Sequence, residues 1–470
     1  MSVADKSKYI SRKQKQPNID PKDTALSVQY QSIASLVPFV RNARTHSKRQ
    51  IDQIAHSIQE FGFTNPVLID GSNGIIAGHG RILAAEQLGL KEVPTIELSY
   101  LSHAQKRAYI IADNKLAELA GWDEELLALE FEYLSEFDAE FDLTITGFEM
   151  GEIDVLIDDL HIEAVTEDEV QDVPDNYVAV TQRGDCWVLG AHSVVCGDAT
   201  SSLDMAALMG EDKSQMVFCD PPYNVSIEKH VSGLGKHKHR DFAMAVGEMS
   251  QEEFTNFLSR FMAQLVSYSA LGSIHYICMD WRHTLEMNLA GNQHYTELKN
   301  ICVWNKDNGG MGAFYRSKHE FVFVFKHGDV PHINNFELGQ YGRYRTNVWD
   351  YAGVNTMRKG RDEELAMHPT VKPIRMIEDA ILDCSHRNDI VLDVFLGSGS
   401  TLIAAENKAR RCYGMELDPI YVDTTIRRWQ KHTGKKAVNV RTGQPFIDPL
   451  DSQNKNSHAV ALIQDLRGDA

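Results

Sequence analysis

From residue 216 onward the chain alternates short, unbroken apolar runs with longer helical patterns, and no other feature restricts its fold so strongly. The runs lie at 216–219, 274–279, 301–304, 321–325 and 390–394. A strand that is apolar at consecutive positions, rather than at every second one, is buried on both faces. Such strands interleaved with helices specify a mostly parallel α/β sheet with helices packed on either side. Open sheets of this class bind ligands outside the carboxyl ends of their strands, so the residues directly after the runs carry the functional reading.

Two motifs stand at such ends. Asp220-Pro221-Pro222-Tyr223 follows the run at 216–219. A carboxylate there can accept one hydrogen of an exocyclic amino group and the Pro221 carbonyl the other, which turns the nitrogen lone pair toward a methyl donor. The paired prolines fix φ and so preorganise the loop. Tyr223 offers a face on which an extruded base can stack. The second motif is Asp393-Val394-Phe395-Leu396-Gly397-Ser398-Gly399-Ser400-Thr401, ahead of an apolar helix. Its glycines allow a tight turn and close backbone approach to a ligand. Glu416 follows nineteen residues after Gly397, close to the separation at which the acid of a nucleotide-binding βαβ unit reaches ribose hydroxyls. The loop lacks the dinucleotide pattern G-x-G-x-x-G and a phosphate-binding lysine, which suits an adenosyl ligand without phosphates.

Asp-Pro-Pro-Tyr ahead of Phe-x-Gly-x-Gly resembles the DNA amino-methyltransferases of the β arrangement, the N6-adenine and N4-cytosine family in which the catalytic half precedes the cofactor half. Gly197-Asp198, Trp304-Asn305-Lys306, His319-Glu320 and His368-Pro369-Thr370-Val371-Lys372-Pro373 extend the match over about 180–435. The resemblance implies a Rossmann-like methyltransferase sheet and S-adenosylmethionine as cofactor. Asp198, Thr370, Lys372, Asp393, Phe395, Gly397, Gly399 and Glu416 would surround it. It implies site-specific methyl transfer to adenine N6, with cytosine N4 as the alternative, and Asp220, Pro221, Pro222 and Tyr223 as the catalytic loop. Target recognition falls at about 327–367, where Arg343, Arg345, Arg358, Lys359 and Arg361 are expected to contact DNA beside Tyr341, Tyr344, Trp349 and Tyr351. Basic and aromatic residues together suit phosphate contact and base reading or wedging. A cytosine-C5 enzyme would need a nucleophilic cysteine after proline, and no Pro-Cys occurs.

A smaller module comes first. Leu36-Val37-Pro38, Arg41-Asn42-Ala43-Arg44 and Gly78-His79-Gly80-Arg81-Ile82-Leu83-Ala84-Ala85 resemble the amino-terminal domain of ParB-type partition proteins, related to sulfiredoxin. The resemblance implies an α+β domain that holds nucleotide phosphates at Gly78, His79, Gly80 and Arg81, as a helix amino terminus can. Helix capping reads these residues equally well. The box has a single arginine, which sets it apart from partition proteins, and no helix-turn-helix segment is visible after it. A reading of another class makes the chain a ParB-like DNA- or nucleotide-binding protein with an inactive methyltransferase half.

The net charge of −19 looks hostile to nucleic acid until it is located. Residues 116–182 hold 21 acidic side chains and no Lys or Arg, and the rest of the chain is close to neutral. Overall charge therefore says little about the surface that meets DNA. The resulting division is a mobile arm at 1–30, a ParB-like α+β domain at 31–137, an acidic connector at 138–175, the methyltransferase domain at 176–445 and a tail at 446–470. Seven scattered cysteines without C-x-x-C spacing argue against disulfides and structural zinc, so no metal is expected. No signal peptide or membrane span is visible. The expected setting is prokaryotic or phage-encoded and cytoplasmic. The expected partners are duplex DNA, a nucleotide at the ParB-like box and a second copy of the chain.

Overall fold

The computed structural model describes residues 26–137, 142–160, 177–225, 247–307, 309, 315–336, 339, 343–352 and 372–450. Contacts divide the chain into two units. One runs to Glu130 and takes in Glu140–Glu149; the other takes Phe131–Ala139 and everything from Met150 onward.

In the first unit, β1 (Val28–Ser32) precedes α1 (Lys48–Phe61), the hairpin β2 (Val67–Ile69) and β3 (Ile75–Ala77), α2 (His79–Gln87), β4 (Glu92–Glu97) and α3 (His103–Ala117). The four strands are ordered β1-β4-β2-β3. Ser47 caps α1 by accepting from the Gln50 amide, and Gly62 at φ +76° ends it. Val67, Ile69, Ile75, Ile82, Ala85 and Val93 form the core. The arm expected over 1–30 gives way to β1, whose Val28 pairs with Ile96. This strand is exposed along most of its length, so it carries no apolar signal.

The boundary falls within α4 (Glu124–Phe137), and the second unit resumes with α5 (Met150–Leu160). It continues through β5 (Cys186–Leu189), β6 (His192–Cys196), α6 (Ser202–Met209), β7 (Ser214–Cys219), α7 (Gln251–Ser267), β8 (Ser269–Met279), α8 (Thr284–His294), β9 (Glu297–Asn305), β10 (His319–Lys326) and β11 (Val348–Asp350). It closes with α9 (Ile374–Cys384), β12 (Ile390–Asp393), α10 (Ser400–Asn407), β13 (Arg411–Glu416), α11 (Pro419–Thr433) and β14 (Val438–Asn439). Ten strands are ordered β11-β9-β10-β8-β7-β12-β13-β6-β5-β14. The five from β8 to β6 are parallel, while β10, β5 and β14 run antiparallel to their neighbours. Alternate residues of β7 enter two different cores. Met216 and Phe218 pack with α9, α10 and α11; Val217 and Cys219 pack with α6, α7 and α8. That double burial is what the unbroken apolar run encodes.

Two boundaries move. The methyltransferase unit starts at α5, not at 176, because Asp154 of α5 is buried against Arg410, Nη2 to Oδ2 at 2.8 Å, and against Arg387 at 3.2 Å. Asp158 pairs with Lys408 at 2.7 Å. These acids therefore have basic partners, more than 200 residues away in sequence. At the other end Phe446 is buried edge-on against Trp187, and Asp448 pairs with Arg427, so the tail expected from 446 starts later. The connector from 161 to 176 lies outside the described residues. Among the described residues no helix is long and apolar enough to cross a membrane.

Candidate active site

The chain leaves β7 toward β8 on one side of the sheet and β12 toward β13 on the other. Where the winding reverses, the carboxyl ends of neighbouring strands open a crevice. Asp220-Pro221-Pro222-Tyr223 follows β7 and the glycine loop follows β12, so the two motifs border the same crevice.

On the β7 side, Lys372, which precedes α9 and is only 4% exposed, donates to Asp220 Oδ2 at 2.5 Å and lies 3.3 Å from Glu320 Oε2. Tyr223 Oη donates to Asp220 Oδ1 at 2.5 Å and lies 3.2 Å from Glu320. Lys306, at the end of β9, pairs with the other oxygen of Glu320 and sits over the Trp304 ring. Because β10 runs antiparallel to β8, Glu320 enters this end of the sheet from the start of its strand. Burial pushes the Asp220 carboxyl up, and Glu320 adds to this, against the pull of Lys372. Burial would raise Glu320 too, but Lys372 and Lys306 together hold it at about 2. Burial also disfavours the Lys372 ammonium, yet the two carboxylates hold its pKa well above the usual value. A carboxylate has about four lone-pair sites. Lys372 and Tyr223 take one each, which leaves Asp220 able to accept from a further N–H.

Across the crevice, Asp393 organises the glycine loop. Its Oδ1 accepts from the Phe395 amide and its Oδ2 from Thr401 Oγ1 at 2.6 Å. Burial pushes this carboxyl up to about 7 against those hydrogen bonds. Gly399 has φ +88°, and a Cβ there would meet Thr425 of α11 at 2.8 Å, so both conformation and space require glycine. Thr425 Oγ1 donates to the Gly397 carbonyl, and Arg428 Nη1 to the Ser398 carbonyl at 3.0 Å and Ser400 Oγ at 3.2 Å. Glu416 accepts one backbone amide on each oxygen, from Gly397 and Asp418, both at 2.9 Å. The Gly197 amide donates to the Glu416 carbonyl, and Asp198 beside it accepts from the Thr200 amide. Phe395 stands edge-on to Phe261 at 5.0 Å. Asp198, Asp393, Phe395, Gly397, Gly399 and Glu416 thus gather around one loop, while Lys372 joins the Asp220 side instead.

The arginines expected on DNA are otherwise engaged. Arg343 and Arg345 both bind Asp383 of α9 at 2.8 Å and are largely buried. Trp349 is buried in β11, and Tyr351 Oη donates to Asp379. This basic and aromatic content packs the sheet edge, where Arg343 and Arg345 are paired with Asp383. Arg358, Lys359, Arg361, Tyr341 and Thr370 lie outside the described residues. In the first unit Gly78 is left-handed at φ +102°. His79 Nε2 accepts from the Phe39 amide at 3.2 Å, and Arg81 Nη1 donates to the Asn65 and Pro66 carbonyls. Both side chains of the box brace neighbouring loops.

The sequence reading quoted Glu320 and Lys306 but gave them no place in the site, and missed Arg428 altogether. A lone acid at the head of the apolar strand 321–325 was the available signal for Glu320. Arg428 looks like any surface cation of an amphipathic helix.

The DNA methylase family model of the N6/N4 type matches residues 214–427, the ParB N-terminal domain residues 21–115 and the ParB-methyltransferase HTH domain residues 125–183. The last match overturns the expectation that no helix-turn-helix segment follows the ParB-like module. The ParB-like nuclease domain-containing protein YnaK of Escherichia coli is 51% identical over 82 residues, 17% of this chain and 94% of YnaK. Type II methyltransferase M2.MboI of Moraxella bovis is 23% identical over 242 residues, 49% of this chain and 86% of that protein. The DNA adenine methyltransferase YhdJ of E. coli is 24% identical over 263 residues, 51% and 82% of the two chains. The chain thus carries a DNA methylase domain of the N6/N4 type at residues 214–427, behind a module of the ParB N-terminal domain family at residues 21–115.

Proposed function

We propose that this DNA methyltransferase modifies adenine at N6, with S-adenosylmethionine as methyl donor and duplex DNA as substrate. The observation that carries the reading is a buried, lysine-paired Asp220 facing the glycine loop across the switch point. Asp at the first motif position favours adenine over cytosine, and the name of the relative YhdJ points the same way. The donor set fits an adenosyl group. Glu416 keeps a lone pair on each oxygen for ribose hydroxyls, and its bond to the Gly397 amide holds the glycine loop beside them. When bound, S-adenosylmethionine supplies an electrophilic methyl group. Asp220 and the Pro221 carbonyl hold the two amino hydrogens of the extruded base, so its lone pair points across the crevice. The Tyr223 ring stacks on that base while its hydroxyl stays on the carboxylates. Positioning and charge placement supply the rate enhancement, and no covalent enzyme intermediate forms.

Mass spectrometry of nucleosides from DNA treated with the protein and S-adenosylmethionine tests the choice of base. N6-methyladenine supports the proposal, whereas N4-methylcytosine keeps the clamp and overturns the base.

Two residues serve as positioning groups. Lys372→Met removes the ammonium that opposes the rise of Asp220. The Asp220 pKa then climbs further, and the acid limb of the kcat/KM profile moves to higher pH. Activity is lost first at the acidic end and least at high pH. A lysine that merely held the donor would raise donor KM at every pH and leave the limb in place. Arg428→Met removes a buried brace from the glycine loop. Hydrogen bonds to charged groups are worth about 1.5–3 kcal/mol, so donor KM should rise roughly tenfold or more with kcat little changed. Steady-state kinetics at varied donor concentration distinguish this from a general loss.

A further inference from the structure

Strand β8 runs parallel beside β7, with Ile277 level with Cys219. The residues after β8 therefore emerge at the same sheet end as Asp220, one strand over. From the strand spacing and rise per residue, Asp280 lies roughly 8 Å from Asp220. The chain there forms a single turn, Trp281–His283. Asp280 caps it by accepting from the Arg282 amide at 2.9 Å, and also holds Arg282 Nη1, 3.1 Å from each carboxylate oxygen. The guanidinium so fixed lies 5.0 Å over the Trp281 ring. Trp281 is nevertheless 48% exposed, on a turn that would be capped by Asp280 whatever side chain occupied position 281. An indole left in water at the rim of a catalytic crevice, with a cation held over its ring, has the two components that bind a nucleic-acid strand, a stacking surface and a positive charge.

We propose that Trp281 and Arg282 form a DNA-contact platform beside the target base. This rests on the methyltransferase reading and adds to it the residues that meet the duplex. Extrusion of the target leaves an unstacked gap in the helix. Trp281 stacks on a base exposed at that gap, and Arg282 contacts the adjoining phosphate, with Asp280 fixing its direction. Arg343 and Arg345 are also paired with an aspartate but are only 10% and 16% exposed, whereas the Arg282 side chain is 37% exposed on the turn after β8.

The test is equilibrium binding of fluorescently labelled duplex DNA by the full chain across a range of salt concentrations, with Trp281→Ala, Trp281→Phe and Arg282→Gln. Trp281→Ala should weaken binding roughly tenfold, within the range for loss of one aromatic stacking partner, and Trp281→Phe should recover most of it. Arg282→Gln should lower the slope of log K against log salt by about one, as loss of one phosphate contact requires. That slope does not depend on what fraction of a preparation is folded. Wild-type affinity in Trp281→Ala together with an unchanged slope in Arg282→Gln would overturn the platform alone. Failure of the wild-type chain to bind DNA at all would instead overturn the reading on which the platform rests.

Discussion

Asp220→Asn should lower kcat for methyl transfer by about a thousandfold while leaving donor affinity near the wild-type value. The substitution keeps size and shape but replaces a carboxylate oxygen with an amide that donates rather than accepts. If the new NH2 faces the base, it meets an amino group with the same polarity, and the clamp is lost. If it faces Lys372, it confronts an ammonium that Asp220 now satisfies at 2.5 Å. Both orientations leave a donor unpaired at the reacting nitrogen or beside it. Loss of one preorganised polar contact to a reacting atom typically lowers kcat by about 10²–10³, and in the proposed clamp Asp220 makes that contact while also pairing the lysine. The donor-binding groups around Gly397 and Glu416 belong to other strands. Donor binding measured on the variant should therefore be close to wild type, and a parallel loss of both properties would place Asp220 on the donor instead.

Asp154→Ala should destabilise the full chain by ~3–5 kcal/mol, the usual consequence of removing one partner from a buried ion pair. Its carboxylate faces Arg410, whose side chain has no exposed surface, and Arg387. Burial alone would raise the Asp154 pKa, but Arg410 and then Arg387 reverse this and leave it below the usual carboxylate value. The stability this group contributes is therefore present above the ordinary carboxylate range and lost as pH falls through the lowered native value. In the variant both guanidinium groups stay buried and lose the carboxylate that pairs with them directly. Thermal melting near neutral pH should shift down on the order of 10 °C, and the gap to wild type should narrow in acid. A melt within a degree or two of wild type would show that α5 is dispensable. A fragment begun at 176 discards α5 and should suffer the same deficit.

The loop proposed as catalytic was legible as a unit because the chemistry proposed for it needs contiguous residues. Four positions at one strand end carry both acceptors and the preorganising prolines, and a run apolar on both faces marks where that strand ends. The glycine loop and Glu416 were legible for the same reason, with a fixed spacing between a turn and the following strand. Lys372 was visible as a motif residue, but its partner Asp220 lies 152 residues away in sequence, so its side of the crevice was not. Arg345 and Asp383 are separated by 38 residues and Asp154 and Arg410 by 256. Composition exposes the charges but not the pairing, which is why the Asp383 partner of Arg343 and Arg345 was not visible and a partly buried helix looked like a connector. Helix α5 did leave a trace, since Met150, Ile153 and Ile157 fall on one helical face and are all buried. The surrounding run of acidic residues concealed it. Strand β1, exposed along most of its length, and Trp281, which belongs to no motif, left no trace of this kind.

The most direct measurement of the central claim is a single-turnover transfer experiment. Wild-type and Asp220→Asn chains are loaded with methyl-labelled S-adenosylmethionine, mixed with duplex DNA and quenched, and the label in each nucleoside is counted. Under the proposed function, label appears on the exocyclic amino group of adenine within one wild-type turnover, and the rate is about a thousandfold lower in the variant with equal donor loaded. Transfer by Asp220→Asn at the wild-type rate, or label on carbon rather than on an amino nitrogen, would contradict the account.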